Sequence, residues 1–466
     1  MSWKIALIGF MLIAGLPLHA QLIDEGSGAG LQCGGNSVNN TGVVVGACTN
    51  LGISVAYVAV TPGTEQVLTP LVTGRSCAAD SIDNNGDIIG SCQNANGASQ
   101  VVVWPGSNLL GAPTPVVANG GGVRTSLVAV DIQGYAAGVS VDSTGSGTPM
   151  LWSASNPASA TVLPGGGGVL NTGPIMIPNT NCRPADVADA AATPMVIGNC
   201  PNGQGLSTPV TWTYSTSSSG GGYALKNLLL PAGAIACAAS RVNVLGQVMG
   251  SCDFSNVSDA QTVWWPNATS APIVLASIAG NVRNVGVAMN NAGQIVGNYL
   301  TGDGFVLPFF WDPNSGTVAS IGAIPGGSRA TIASIADNGT VIGNSEVISG
   351  DTHSFTWTLR GGISDLGTLP GGNNSSVANI SRSGGEITGL SEANGEGDDA
   401  YVESLPVSST ASRNSLSPTI STHTRAISRV ADQSGSGYSG SPVGSLVSES
   451  PVGSLLSGSS PVSGLL

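Results

Sequence analysis

Cys77-Ala78-Ala79-Asp80-Ser81-Ile82-Asp83-Asn84-Asn85-Gly86-Asp87-Ile88-Ile89-Gly90-Ser91-Cys92 decides the fold. Ile82 ends one extended run, Asp83 to Gly86 reads as a tight turn, and Asp87 to Gly90 opens a second run. Asp and Asn tolerate turn conformations and Gly supplies positive φ, which a hairpin needs. Eight copies of this hairpin follow one another along the chain. Four carry flanking cysteines, at Cys33 and Cys48, Cys77 and Cys92, Cys182 and Cys200, and Cys237 and Cys252. Four do not, at Val130 to Gly138, Met289 to Gly297, Ile335 to Gly343 and Ile380 to Gly389.

A glycine in the second run anchors each copy: Gly46, Gly90, Gly138, Gly198, Gly250, Gly297, Gly343 and Gly389. In the six inner copies a tryptophan follows its anchor at one constant interval. The pairs are Gly90 and Trp104, Gly138 and Trp152, Gly198 and Trp212, Gly250 and Trp264, Gly297 and Trp311, and Gly343 and Trp357. The first and last copies carry Tyr57 and Tyr401 at shorter offsets. Each unit holds four short strand candidates, and eight such units are the arithmetic of a β-propeller with eight four-stranded blades. Leu22-Ile23 occupies the place of a fourth strand before the first hairpin, and the last copy stops after its third strand near Leu405. An N-terminal strand is therefore expected to complete the final blade; an open β-solenoid would not need the ends to meet. The fourth copy has Ala190-Ala191-Ala192-Thr193-Pro194 where its turn glycine is due, so its turn is expected to be longer, and the eighth has one extra residue beside Gly384-Gly385.

The cysteines are centred on their turns, which places each pair opposite one another across an antiparallel hairpin. Directly opposed residues have Cα separations of about 4.5–5.5 Å, within disulfide range. The expected bridges are 33–48, 77–92, 182–200 and 237–252. The other copies carry Thr125 and Ser140, Ala330 and Ser345, or Ser376 and Ser391 at these places. Zinc is a poor alternative, since no C-x-x-C spacing occurs.

Residues 1–20 read as a secretory signal peptide, with Lys4, an apolar run from Ile5 to Leu16, and Ala20 last before cleavage. With an even count of 8 Cys, this points to a disulfide-bonded protein of the periplasm or cell surface. No later segment is long and apolar enough to span a membrane. A net charge of −13 argues against a nucleic-acid partner, which needs clustered Lys and Arg. The blades are expected to occupy residues 21–406. Residues 407–466 form a Ser-rich tail ending in degenerate repeats such as Pro442-Val443-Gly444-Ser445-Leu446 and Pro451-Val452-Gly453-Ser454-Leu455. The tail reads as a solvated extension or a means of surface attachment.

His353-Ser354-Phe355-Thr356-Trp357, then Leu366-Gly367-Thr368-Leu369-Pro370-Gly371-Gly372, then an aliphatic-Asn-x-x-Gly hairpin as in Met289-Asn290-Asn291-Ala292-Gly293, resembles the bacterial extracellular HAF-type repeat family. The resemblance covers about residues 285–400 and weakens upstream, where the cysteine hairpins depart from it. It implies an exported, propeller-like repeat protein and assigns no activity.

Candidate chemistry is sparse. His353 is the only histidine of the repeats and is expected to be a hydrogen-bonding residue at a strand edge rather than a catalytic one. Asp80, Asp83, Asp87, Asp131, Asp189 and Asp337 sit at hairpins, where Asp is a turn former. Glu392 to Asp399, with Glu403 beyond, loosely imitates a calcium loop but reads better as a solvated acidic loop. The tryptophan row reads as packing between blades. Trp265 follows Trp264 and should face the other way, which makes it the candidate exposed ligand contact. The expected function is binding or scaffolding, with a protein or glycan ligand, no enzymatic activity, no cofactor and no metal. The competing expectations are a polysaccharide-acting enzyme and a structural surface protein. Carboxylates from several blades at the channel mouth would favour the enzyme; amides, hydroxyls and exposed aromatics would favour binding.

Overall fold

Most hairpin turns are held by their own first side chain; blades 4 and 7, with Ala188 and Ala336 there, are the exceptions. Asp83 Oδ1 accepts the backbone N–H groups of Asn85 and Asp87, both at 2.8 Å, and Gly86 adopts φ 86°, a conformation that other residues resist. Asn39, Asp131, Asn243 and Asn290 repeat the arrangement. In the eighth copy the extra residue widens the turn, and Ser381 Oγ accepts the N–H of Glu386 instead.

These hairpins build eight four-stranded antiparallel sheets in the computed structural model, which describes residues 23–24, 32–60, 65–165, 170–171, 176–177, 182–189, 192–216, 221–255, 257–275, 283–393 and 398–405. The expected propeller is the observed fold. Blade 1 comprises Gln32–Val38, Val44–Asn50, Ile53–Ala59 and Glu65–Val67. Blades 2 to 7 span residues 77–115, 122–162, 183–227, 234–274, 284–320 and 330–367. Blade 8 takes Gly371–Ile380, Glu386–Ala393 and Asp398–Ser404 from the end of the chain and Ile23–Asp24 from its start. The closing strand pairs Ile23 with Val402 and Asp24 with Tyr401, as expected. A two-stranded hairpin, Leu170–Asn171 with Met176–Ile177, lies between blades 3 and 4. The sole helical element among the described residues is a single 3-10 turn, Gly106–Asn108.

First strands of successive blades touch one another around most of the ring, so they are innermost. All eight carry a β-bulge at the same place, for example between Ala79 and Ser81 or between Ile332 and Ser334. A bulge bends a strand and re-aims its side chains, and its repetition bends every inner strand alike. The anchor glycine has a steric reason. At Gly90 a Cβ would lie 2.1 Å from the Ala78 carbonyl oxygen and 3.0 Å from the Trp104 ring, so no larger residue fits.

The tryptophans are packed as expected, and they also latch the ring. Trp104, Trp152 and Trp212 donate Nε1–H to the carbonyls of Thr69, Val117 and Pro164, each on the connection from the preceding blade, at 2.7–2.9 Å. In blade 5 the latch is Trp265, not Trp264. Trp265 is 0% exposed and donates to Leu229 O at 2.7 Å. Its expected role as an exposed ligand contact is therefore corrected. A bulge between Cys252 and Phe254 adds one residue to blade 5 and shifts the register, so Val248 opposes Trp265 as Ile88 opposes Trp104. Trp264 is the extra ring; it packs edge-on against Trp311 at 5.2 Å. Tyr57 and Tyr401 do not replace the tryptophan either. They oppose the anchor glycines Gly46 and Gly389, the place that Phe309 and Phe355 hold in blades 6 and 7.

All four expected disulfides are present, with Cα separations of 3.9–4.1 Å. Such bonds point to an oxidising compartment. No helix among the described residues is long and apolar enough to cross a membrane.

Candidate functional site at the hairpin-turn end of the ring

The eight turns form one end of the ring, and hydrogen bonds join each to the next. Asn40 N donates to Asn84 Oδ1, Asn84 N to Ile132 O, and Ile132 N to Asp189 Oδ1. Val244 N donates to Asn291 Oδ1, Asn291 N to Asp337 Oδ1, Asp337 N to Arg382 O, and Ser383 N back to Asn40 Oδ1. Between blades 4 and 5 the tie is Val242 N to Asp186 Oδ2 at 2.9 Å. The link from Ser383 to Asn40 joins opposite ends of the chain, so the belt closes where those ends meet.

One contact crosses the belt. Asp189 in the turn of blade 4 forms an ion pair with Arg382 in the turn of blade 8. Blades 4 and 8 stand opposite one another in a ring of eight, so the pair braces the mouth of the channel across its width. The irregular turn of blade 4 is held from outside by two phenols: Tyr135 O–H donates to Ala192 O and Tyr223 O–H to Pro194 O, both at 2.9 Å. Tyr214 stacks edge-on against Tyr223 at 5.6 Å and is 42% exposed.

Most of the mouth carboxylates are thereby occupied. Asp83, Asp131 and Asp189 are buried and hold backbone amides, and Asp337 binds the backbone N–H and side-chain amide of Asn291. Asp87 accepts the N–H of Gly106. Two carboxylates on the innermost strands differ. Burial pushes the Asp80 carboxyl up to about 6, against the pull of a 3.0 Å hydrogen bond from Ser91. Burial also raises Asp186, offset in part by Arg241 and the Val242 N–H.

Exposed and half-buried groups divide this end into two sectors. Blades 3 to 5 offer Ile132, Tyr135, Tyr214, Val244 and Leu245, the last 64% exposed. Blades 6 to 8, 1 and 2 offer Asn291, Asp337, Arg382, Ser383, Asn40 and Asn84 at the corresponding turns.

The other candidates lie elsewhere. His353 Nδ1 is 3.0 Å from both oxygens of Asp365, at the far end of blade 7, a hydrogen-bonded strand residue as expected. The calcium-like reading fails on distance. Glu392 opposes Asp398 while Glu403 opposes Ile387, five pairings or roughly 17 Å along the ladder, and residues 394–397 fall outside the described residues. Glu392 instead accepts the side-chain amide of Asn374 and the N–H groups of Asn373 and Asn374, which hold its carboxyl below the usual range. Among the described residues no group of His, Cys, Asp and Glu is arranged to hold a metal ion. An apolar cleft of about 270 Å³, lined by Leu51, Val67, Leu68 and Arg75, opens at the end of blades 1 and 2 away from the turns.

No protein-family model matches the chain, and no curated protein sequence matches it. Solved structures do. A prolyl endopeptidase is 12% identical, with a TM-score of 0.50 over 72% of this chain and 49% of that one. An oligogalacturonate lyase in complex with manganese is 8% identical, with a TM-score of 0.43 over 78% of this chain and 96% of that one. A puromycin-hydrolysing peptidase of Mycobacterium tuberculosis is 11% identical, with a TM-score of 0.45 over 80% of this chain and 61% of that one. At these identities the likeness is one of fold. The expectation that enzymatic activity is absent is corrected on this point alone: a prolyl endopeptidase shares the fold, so the fold does not exclude an enzyme.

Proposed function

We propose that this is an exported HAF-type repeat propeller that binds a neutral glycan at its hairpin-turn end. The observation that carries the reading is the division of that end into an apolar, tyrosine-bearing sector and an amide-rich sector. A pyranose ring has an apolar C–H face and a polar hydroxyl rim, and binding sites commonly pair an apolar wall with a few placed polar groups. Tyr214, Val244 and Leu245 supply the wall. Asn40 and Asn84 engage Oδ1 in the belt, which leaves their amide N–H groups to donate. Charge supports a neutral ligand: Arg382 is paired with Asp189, and Asp337 is tied to Asn291, so the mouth presents no unbalanced cluster among the described residues.

The raised carboxyls of Asp80 and Asp186 favour a second reading, a polysaccharide-acting enzyme on the same scaffold. One experiment addresses both. The oxidised protein is screened against neutral and uronate-bearing glycans and a surface-protein extract, with product release followed on each glycan. Saturable binding to neutral glycans, weakened about tenfold by Tyr214→Ala with Leu245→Ala, is expected. Product release that is abolished by Asp80→Asn or Asp186→Asn selects the enzyme. Binding confined to uronates or to protein overturns the proposal.

A further inference from the structure

We propose that the junction between blades 7 and 8 is a pH-sensitive seam of the ring, with Glu403 as its sensor. Glu403 lies as far beyond its anchor Gly389 as Trp104 lies beyond Gly90. It opposes Ile387, the register at which Trp104, Trp152, Trp212, Trp311 and Trp357 stand in their blades. Blade 8 thus places a carboxyl in the slot where other blades place an indole. The side chain is 1% exposed, and neither carboxyl oxygen has a hydrogen-bond partner. Two residues earlier on the same strand, Tyr401 belongs to the core shared with blade 7 and donates its O–H to Ser354 of that blade at 3.0 Å. The closing strand is paired to this same strand, at Tyr401 and Val402.

Among the described residues no cation neutralises the position. On its own strand the titratable neighbour is Tyr401, whose own proton is held more tightly by burial and by Glu403. On the adjacent strand Glu386 is engaged with Ser404, and Asp24 of the closing strand opposes Tyr401. In blade 7, Glu346, His353 and Asp365 lie toward the opposite end of their strands, and Arg360 is on an exposed turn. Innermost strand Gln32–Val38 of blade 1, which also packs on blade 8, has no titratable group besides the bridged Cys33.

Burial alone pushes the Glu403 carboxyl up to about 7, from an ordinary value of 4.5. The closed junction keeps a proton that an opened, hydrated junction would release. Closure is therefore strongest below about pH 4.5, weakens as pH rises toward 7, and is then constant. At tenfold per unit, the opening equilibrium rises about 300-fold between its two limits, of which about 100-fold falls between pH 4.5 and 8.

The test is hydrogen exchange of residues 398–405 in the full oxidised chain from pH 4.5 to 8, corrected for intrinsic exchange. Wild type is expected to lose about 100-fold in protection as pH rises. Glu403→Gln is expected to give a flat profile, and Glu386→Gln to keep the wild-type slope. A flat wild-type profile overturns the proposal, as does a slope that survives in Glu403→Gln. If that variant does not fold, the wild-type profile and its midpoint still decide. The test does not depend on any ligand, so it stands or falls apart from the glycan reading.

Discussion

Blades 1, 2, 4 and 5 and blades 3, 6, 7 and 8 use one register position in two ways. In the first group, cysteines opposed across the inner hairpin are bonded, which ties a blade to itself. In the second group, the same positions hold Thr125 and Ser140, Asn284 and Tyr299, Ala330 and Ser345, and Ser375 and Ser391. Several of these side chains reach out of the blade. Thr125, Asn284 and Ser375 accept the N–H groups of Val101, Thr262 and Ser354, each on the third strand of the preceding blade. Ser140, Ser345 and Ser391 accept those of Asn119, Ile324 and Leu369 on the incoming connection. A disulfide acts mainly by restricting the unfolded chain, whereas these hydrogen bonds act on the folded interface. The lesson is that at this one position half of the blades are stapled to themselves and the other half are sewn to their neighbours.

Three substitutions would break or sharpen this contrast. Replacing Cys77 and Cys92 together by Ser should cost about 3 kcal/mol, as expected for so short a closed loop. Denaturant unfolding under oxidising conditions measures it, and a cost near zero would erase the distinction. Introducing cysteines at Ala330 and Ser345 should form a bridge, because the two are already opposed. The net gain should be only about 2 kcal/mol, since about 1 kcal/mol goes with the lost hydrogen bond to Ile324. A gain as large as the native bridge would mean that the stitch contributes nothing. Ser345→Ala alone should cost about 1 kcal/mol and speed exchange of the Ile324 amide more than that of the blade's own strands. Equal effects on both would place the tie within blade 7 rather than between blades 6 and 7.

The fold is legible because repetition multiplies weak signals. A single Asp-Asn-Asn-Gly turn decides little; eight in step with glycine and tryptophan decide the architecture, and turn-centred cysteines decide the bridges. Single-residue slips limit the detail. An extra residue in blade 5 makes the constant interval fall on Trp264 while the structural slot goes to Trp265. The extra turn residue of blade 8 puts Ser375, not Ser376, opposite Ser391. The functional end is less legible because its contacts join distant repeats. Nothing local to Asp189 announces Arg382, and nothing near His353 singles out Asp365. Glu403 is the exception: the interval that leads from glycine to tryptophan in other blades leads from Gly389 to a carboxyl.

The pairing of Ile23 with Val402 also fixes an order of events. A chain is made from its N-terminus, so this strand must wait, unpaired, while seven further blades take shape. Their partner arrives only with the last strand. A product truncated before Asp398 would carry an unmatched first strand and a half-built last blade, both with bare backbone edges open to aggregation. The ring therefore proofreads its own length: only a chain finished at both ends can hide them.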